Sequence, residues 1–373
     1  MKLNDFKLEV FFGKHEFSAP YLLTQSDCES MSIRELLQME ENSEELLLDT
    51  WLGYTEVSGS PVLKKQIASL YETIFSEDVI VHAGAQEPIF NLMHSLLEPS
   101  DHVISQFPVY QSLYEVARSI GCEVDFWELK NENQKWSMDF NDLKALIKDN
   151  TKLICVNNPN NPTGFIFNKE EMKELAKICD ENNIFLLCDE VYKGLELNAT
   201  KVPWMADLSN NAISIGVMSK AYGLAGLRIG WVASKNKEVL EKMTKMKHYT
   251  SICSSGPSEV LASIALNHSD EILSNNKSLI KENIELANQF FSKYNDLFEN
   301  NQPLAGPVAF HKMNIDEPIN DFVVGMVEEA GILLLSGDIY DYSGQYFRIG
   351  YGRKDFQDNL KKFEEYLKLK ELI

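Results

Sequence analysis

Paired cysteines, metal-spaced histidines, long apolar runs and an excess of basic charge are all missing from this chain. Its six cysteines (Cys28, Cys122, Cys155, Cys179, Cys188 and Cys253) are scattered with no C-x-x-C pair, and three sit in apolar segments. That pattern describes reduced core thiols, so a cytoplasmic setting is expected. The seven histidines form no H-x-x-x-H cluster and no zinc spacing occurs, so no metal site is expected. No stretch approaches the roughly 18 apolar residues of a membrane span. The N-terminal residues lack a charged-then-apolar signal pattern, and no membrane partner is expected. Lysine and arginine number 35 against 56 acidic residues, a formal charge of −21. Such a chain repels polyanions, which argues against nucleic acid and anionic membranes as partners. An anionic ligand would need its own local basic groups. The phosphate-binding pattern G-x-x-x-x-G-K-[ST] is absent. The spacing of Gly223, Gly226 and Gly230 is not the dinucleotide fingerprint, and no acidic ribose partner is suitably placed.

What is present is an ordinary globular composition, 44% hydrophobic and 24% charged over 373 residues. That length suits one large domain with a smaller one, or two domains. Between about 79 and 235, apolar segments at 79–82, 102–107, 123–129, 152–156, 184–188, 212–218 and 229–233 alternate with helical patterns. Continuous apolar strands separated by helices predict a mostly parallel sheet of seven strands covered on both faces, an α/β fold. The clearest helix opens at Asn168 with Glu171 three residues on, placing Met172, Leu175, Ala176 and Cys179 on one face. Ser32 to Glu35 reads as a capping box, and Pro61 opens an amphipathic helix through Leu63, Ile67 and Leu70. Residues 236–300 read as helices. The remainder mixes short strands with helices at 318–330 and 354–371, a smaller α+β module. The expected division is a large domain at 46–265 and a small one built from 1–45 and 266–373.

Ligands of such sheets bind at strand ends, and five polar stretches fall there. Ala83-Gly84-Ala85-Gln86-Glu87-Pro88 lies between a strand and a helix; it suits a close approach to an anion, or simply a tight turn. Tyr110, after Phe107-Pro108-Val109, offers a ring at a strand end, although alone it reads as an ordinary buried tyrosine. Asn157-Asn158-Pro159-Asn160-Asn161-Pro162-Thr163-Gly164 holds more turn-forming residues than a plain turn needs. Asp189, directly after the strand Leu186-Leu187-Cys188, is a carboxylate that is costly to bury unless paired, for example with a pyridinium N–H. Arg348 sits inside the apolar strand Tyr346 to Tyr351, where its fork suits a planar carboxylate or a structural ion pair. A sixth stretch, Gly216 to Trp231, places Ser219-Lys220 after a strand and Arg228 eight residues beyond. A buried lysine of lowered pKa forms Schiff bases, and an arginine with a serine clamps a phosphate. Taken alone, the S-K pair is equally a solvated strand end.

The order G-A-Q, P-V-Y, N-P-N-N-P-T-G, D-E-V-Y, S-K with R eight later, then F-R-I resembles the fold type I aminotransferases of class I/II, which use pyridoxal 5′-phosphate. The resemblance runs over nearly the whole chain. It implies that Lys220 forms the Schiff base and moves the proton, and that Asp189 pairs with the ring nitrogen. Tyr192 and Asn161 would meet the ring hydroxyl oxygen, and Tyr110 would stack on the ring. Gly84, Ala85, Gln86, Ser219 and Arg228 would hold the phosphate, and Arg348 the substrate α-carboxylate with Asn161 beside it. Tyr54 matches the tyrosine lent to the neighbouring subunit's phosphate, which implies a homodimer. The L-G-Y-T-E…G-S-P stretch around Tyr54 is similar to the capreomycidine synthase-like branch. Val217 stands where many relatives carry a hydroxyl, so one phosphate contact is missing or replaced. The 18–23 segment, with Tyr21, is read either as packing against the small domain or as a lid over the substrate. The expected substrates are an amino acid and a 2-oxo acid. β-Elimination of a C–S bond, cyclisation, and a non-catalytic regulatory role for the bound cofactor stay open.

Overall fold

The computed structural model describes residues 2–197 and 201–373. Seven strands form the central sheet: β1 (Val79–His82), β2 (His102–Phe107), β3 (Glu123–Glu128), β4 (Thr151–Asn157), β5 (Phe185–Asp189), β6 (Ala212–Val217) and β7 (Gly230–Ala233). Their order across the sheet is β1-β7-β6-β5-β4-β2-β3. All pairs are parallel except those of β7, which runs antiparallel to both neighbours. The seven apolar segments read from the sequence are these seven strands, shifted by a residue or so at their ends. β3 closes one edge and is partly exposed, as its glutamates require.

Because side chains alternate across a strand, the sheet separates two cores. Leu153 and Cys155 of β4, Leu187 of β5 and Ile213 of β6 join one, with helices Gln86–Leu96 and Lys237–Lys247. Ile154 and Val156, Leu186 and Cys188 join the other, with helix Lys169–Glu181. That helix has the expected capping box: Asn168 accepts from the Glu170 and Glu171 N–H groups while Glu171 bonds back to Asn168. Burial on both faces removes so much apolar surface, at roughly 25 cal/mol per Å², that the strands need no polar alternation. The capping box expected at Ser32 opens Ile33–Leu37, and the helix expected from Pro61 spans Pro61–Ala68, capped by Ser60 and ending before Leu70.

A second, four-stranded antiparallel sheet contains Phe298–Glu299, Val308–Met313, Leu335–Ser336 and Tyr346–Gly350. Helices Ile319–Ala330 and Phe356–Leu369 accompany it, and the long helix Ser269–Lys293 runs toward it. Near the N-terminus, Tyr21–Leu22 pairs in parallel with Ile332–Leu333. No helix among the described residues is long and apolar enough to cross a membrane.

Candidate active site

The parallel strands end along one edge of the sheet, and the connecting loops present their polar groups there. β7 enters this edge from the opposite direction. Its Gly230 is paired with His82 of β1 and Val217 of β6, which sets Arg228 between the Gly84 loop and the Lys220 loop. A cavity of about 410 Å³ opens at this point. It is lined by Ala85, Gln86, Tyr110, Asn161, Asp189, Tyr192, Ser219, Lys220, Arg228 and Arg348. Residues spread over more than 260 positions of sequence thus share one space.

Asp189 closes β5 and is buried. Burial, with the charge of Glu190 adding to it, raises its carboxyl to about 7, against the Val191 N–H that donates to Oδ1 at 3.2 Å and the nearby charge of Lys220. Asp189 makes no ion pair among the described residues. A carboxyl held this way favours a cationic N–H opposite it. Burial lowers the pKa of Lys220, and Arg348 works in the same direction, while Asp27, Glu9 and Asp189 oppose. The Lys220 Nζ donates to Ser26 Oγ at 3.0 Å. Burial lifts the Tyr192 phenol well above its usual range.

Arg348 is fully buried and also has no acidic partner among the described residues. Its Nε donates to Thr24 Oγ1 at 3.2 Å and Nη2 to the Thr24 carbonyl at 2.5 Å. Nη1 donates to Asn161 Oδ1 at 3.1 Å and to Tyr340 Oη at 2.6 Å. Its guanidinium carbon stands 5.6 Å from the centre of the Phe12 ring. Four of five N–H donors are therefore occupied by neutral acceptors, and the positive charge is uncompensated. Tyr340 also donates to Asn161 Oδ1, at 2.9 Å. With that oxygen taken twice, the Asn161 amide has its Nδ2 hydrogens for a ligand.

Gly84 and Arg228 form a cradle. Gly84 has φ +77°, and a Cβ there would stand 2.3 Å from Arg228 Nη2. Arg228 itself is left-handed at φ 52°, an unusual conformation for a residue with a side chain. Just beyond lies the N-terminus of helix Gln86–Leu96, with Ala85 and Gln86 at its free N–H end. A guanidinium, a glycine turn and a helix N-terminus together suit a phosphate. With an uncompensated carboxyl and this cradle both lining one cavity, the residues fit pyridoxal phosphate. Val217 lines the cavity and brings no hydroxyl to it.

Two expected residues lie elsewhere. Tyr54 is 84% exposed and does not line the cavity of its own chain. Tyr21 does not line it either. The 18–23 segment is tied down by the pairing of Tyr21–Leu22 with Ile332–Leu333, and Asn359 Nδ2 donates to the Leu22 carbonyl at 3.0 Å. The lid reading of that segment is therefore corrected. Helix Lys7–His15, not singled out from sequence, contributes to the cavity wall instead. Its Leu8, Glu9 and Phe12, with Glu16 just beyond, line the cavity, as do Gln25, Ser26 and Asp27. Tyr110 meets this helix: its hydroxyl donates to Glu9 Oε1 at 2.9 Å, and its ring lies 4.9 Å from that of Phe6. The spacing of Glu9, Phe12 and Glu16 marks one helical face, but nothing local says what that face covers.

Residues 22–360 match the family model described as aminotransferase class I and II. A PLP-dependent aminotransferase from Streptococcus suis has a solved structure that is 33% identical, with a TM-score of 0.93 over 99% of this chain and 98% of its own. An aspartate aminotransferase of Sulfurisphaera tokodaii is 26% identical over 88% of this chain and 86% of its own length. A capreomycidine synthase of Streptomyces vinaceus is 25% identical over 78% and 74%.

Proposed function

The chain belongs to the class I and II aminotransferases, pyridoxal-phosphate-dependent transferases, and from that premise we propose that it exchanges an amino group between an amino acid and a 2-oxo acid, with Lys220 as the residue that binds the cofactor and carries the proton. One observation supports this most: an amine of lowered basicity, a carboxyl without a cation and a guanidinium without an anion share one cavity. When bound, pyridoxal phosphate supplies the electron sink that makes the α-proton of an amino acid removable. Lys220, its basicity lowered by burial, takes that proton and returns it, a contribution of roughly 10²–10⁴-fold. Asp189 would keep the ring nitrogen protonated. Asn161 and Tyr192 would hold the ring hydroxyl oxygen and Tyr110 the ring, while Gly84, Ala85, Gln86, Ser219 and Arg228 would hold the phosphate. Arg348 takes the α-carboxylate, exchanging one of its neutral acceptors for a charged one.

The same reading makes the protein a cytoplasmic homodimer in which Tyr54 completes the neighbouring site; the exposure of Trp51, Leu52 and Tyr54 on one chain supports it. It also divides the chain into a cofactor-holding part at 46–265 and a small part from 1–45 and 266–373. The strand pairing of Tyr21–Leu22 with Ile332–Leu333 supports that division. The similarity to a capreomycidine synthase keeps cyclisation as a second reading, with β-elimination beside it. Incubation with single amino acids and a 2-oxo acid acceptor tests all three. Formation of the matching 2-oxo acid is expected. Ammonia release without it, or a cyclised product, would replace transamination; absence of any turnover would favour a regulatory role.

A further inference from the structure

Resting on the assignment of the phosphate to the cradle of Gly84 and Arg228, we propose that Glu87 is a positioning residue for that anion. Its carboxylate, turned away from the cavity, fixes the Ala83-Gly84-Ala85-Gln86 turn from behind and fastens it to the 247–251 segment. Ala85 and Gln86 line the cavity, and Glu87 does not. Helix Gln86–Leu96 has no side-chain cap, and the N–H groups of Ala85, Gln86 and Glu87 have no acceptor among the described residues. These are the donors an anion at this helix end would meet. What holds them in place is the turn before them. Glu87 Oε2 accepts the Ala83 N–H at 2.6 Å, and the Gly84 N–H donates to the His82 carbonyl at 3.0 Å. Bonds on two consecutive residues thus secure the turn in which Gly84 takes its φ of +77°.

The other oxygen of the same carboxylate reaches the opposite way. Thr250 Oγ1 donates to Glu87 Oε1 at 2.5 Å, and the Ser251 N–H does so at 3.3 Å. Asn91, further along the helix, also holds Thr250, donating from Nδ2 to its Oγ1 at 3.2 Å. Behind Oε2 stand His82 Nδ1 at 3.4 Å and Lys247 Nζ at 3.9 Å, both on fully buried side chains. Burial by itself would raise the Glu87 carboxyl, but the bonds from His82, Ala83 and Thr250 outweigh it and hold the group below the usual carboxylate range. Burial lowers the Lys247 pKa, and Glu87 opposes that most. A carboxylate so close to a phosphate has two opposed effects: its charge repels the anion, and its bonds keep the donors aimed. The ammonium of Lys247 offsets the first, so the second governs.

The test reads affinity rather than turnover. Equilibrium dialysis on protein freed of cofactor compares pyridoxal phosphate with pyridoxal, which keeps the ring and the aldehyde but lacks the phosphate. Removing the carboxylate alone would strand the buried Lys247, so each Glu87 variant is made together with Lys247→Met and compared with Lys247→Met alone. With Glu87→Ala the preference for the phosphorylated ligand should fall roughly 10-fold, near the value of one charge-assisted hydrogen bond, while pyridoxal affinity stays within about twofold. Glu87→Asp, whose shorter arm cannot hold Ala83 and Thr250 at once, should lower the preference as well. Glu87→Gln keeps an acceptor for the Ala83 N–H and should restore it. An unchanged or larger preference with Glu87→Ala or Glu87→Asp, the mark of simple repulsion, overturns the proposal. So does an equal loss for both ligands, the mark of a loosened fold. If the unaltered protein shows no preference for pyridoxal phosphate over pyridoxal, the phosphate assignment itself fails and this proposal with it.

Discussion

Arg348 Nη1 donates to Asn161 Oδ1 at 3.1 Å, joining residues 187 positions apart in the chain. The bond occupies Asn161 Oδ1 and leaves the Asn161 N–H groups without a partner among the described residues. In the function proposed, Arg348 takes a carboxylate and Asn161 stands beside it. Tyr340, which bonds both, holds the pair in place.

Replacing Arg348 with lysine should therefore do more than lose one contact. An ammonium cannot reproduce the fork, and Asn161 would be free to turn. The expected loss in kcat/KM for the amino donor is about 10²–10³-fold. Tyr340→Phe should cost about 5-fold, since only a neutral hydrogen bond is removed. Steady-state kinetics of both variants checks the order; an Arg348→Lys enzyme within threefold of the original would remove Arg348 from the substrate site.

Lys220→Ala should abolish turnover and leave the visible spectrum of the protein mixed with pyridoxal phosphate the same as that of the free cofactor. Absorbance titration and a donor assay read both effects. Retained turnover would overturn the assignment of Lys220.

Gly84→Ala forces a side chain at φ +77° and pushes against the Arg228 guanidinium. Displacement of that group should weaken pyridoxal phosphate binding by about 10-fold, near the value of one charged hydrogen bond. Arg228→Gln should weaken it at least as much. Equilibrium dialysis against the cofactor measures each, and unchanged affinity in both would place the phosphate elsewhere.

Asp189 gives a pH dependence whose sign is determined by its environment. Burial raises the folded carboxyl to about 7, whereas an unfolded aspartate titrates near ~4. Between those values the folded chain binds a proton that the unfolded chain lacks. The stability this contributes is fully present below ~4 and is lost as pH rises through 7. In cofactor-free protein, Asp189→Asn should thus gain on the original as pH rises from 5 to 8, by roughly 2 °C in Tm for each kcal/mol. With saturating pyridoxal phosphate the order should reverse, because only the carboxylate pairs with the ring nitrogen. Thermal melts across that pH range, with and without cofactor, check both signs.

Much of this is legible in the sequence. The seven apolar segments had to be strands, since stretches such as Leu186-Leu187-Cys188 have no polar face to show to water. Once they alternate with helices, a parallel sheet places Gly84, Tyr110, Asn161, Asp189 and Lys220 at one edge, because each follows its strand by at most a few residues. The caps at Ser32 and Asn168 are local bonds between near neighbours, and the chain itself spells them.

The N-terminal wall of the cavity was a different matter. Tyr21 and Glu16 both sit in unremarkable polar-and-apolar text, and only the pairing of Tyr21–Leu22 with Ile332–Leu333 turns one away from the cavity and leaves the other facing it. The union of Arg348 with Asn161 depends in the same way on segments far apart in sequence. Local patterning determines which residues can be buried and where chain direction changes. Which distant surfaces meet is decided by packing the whole molecule at once.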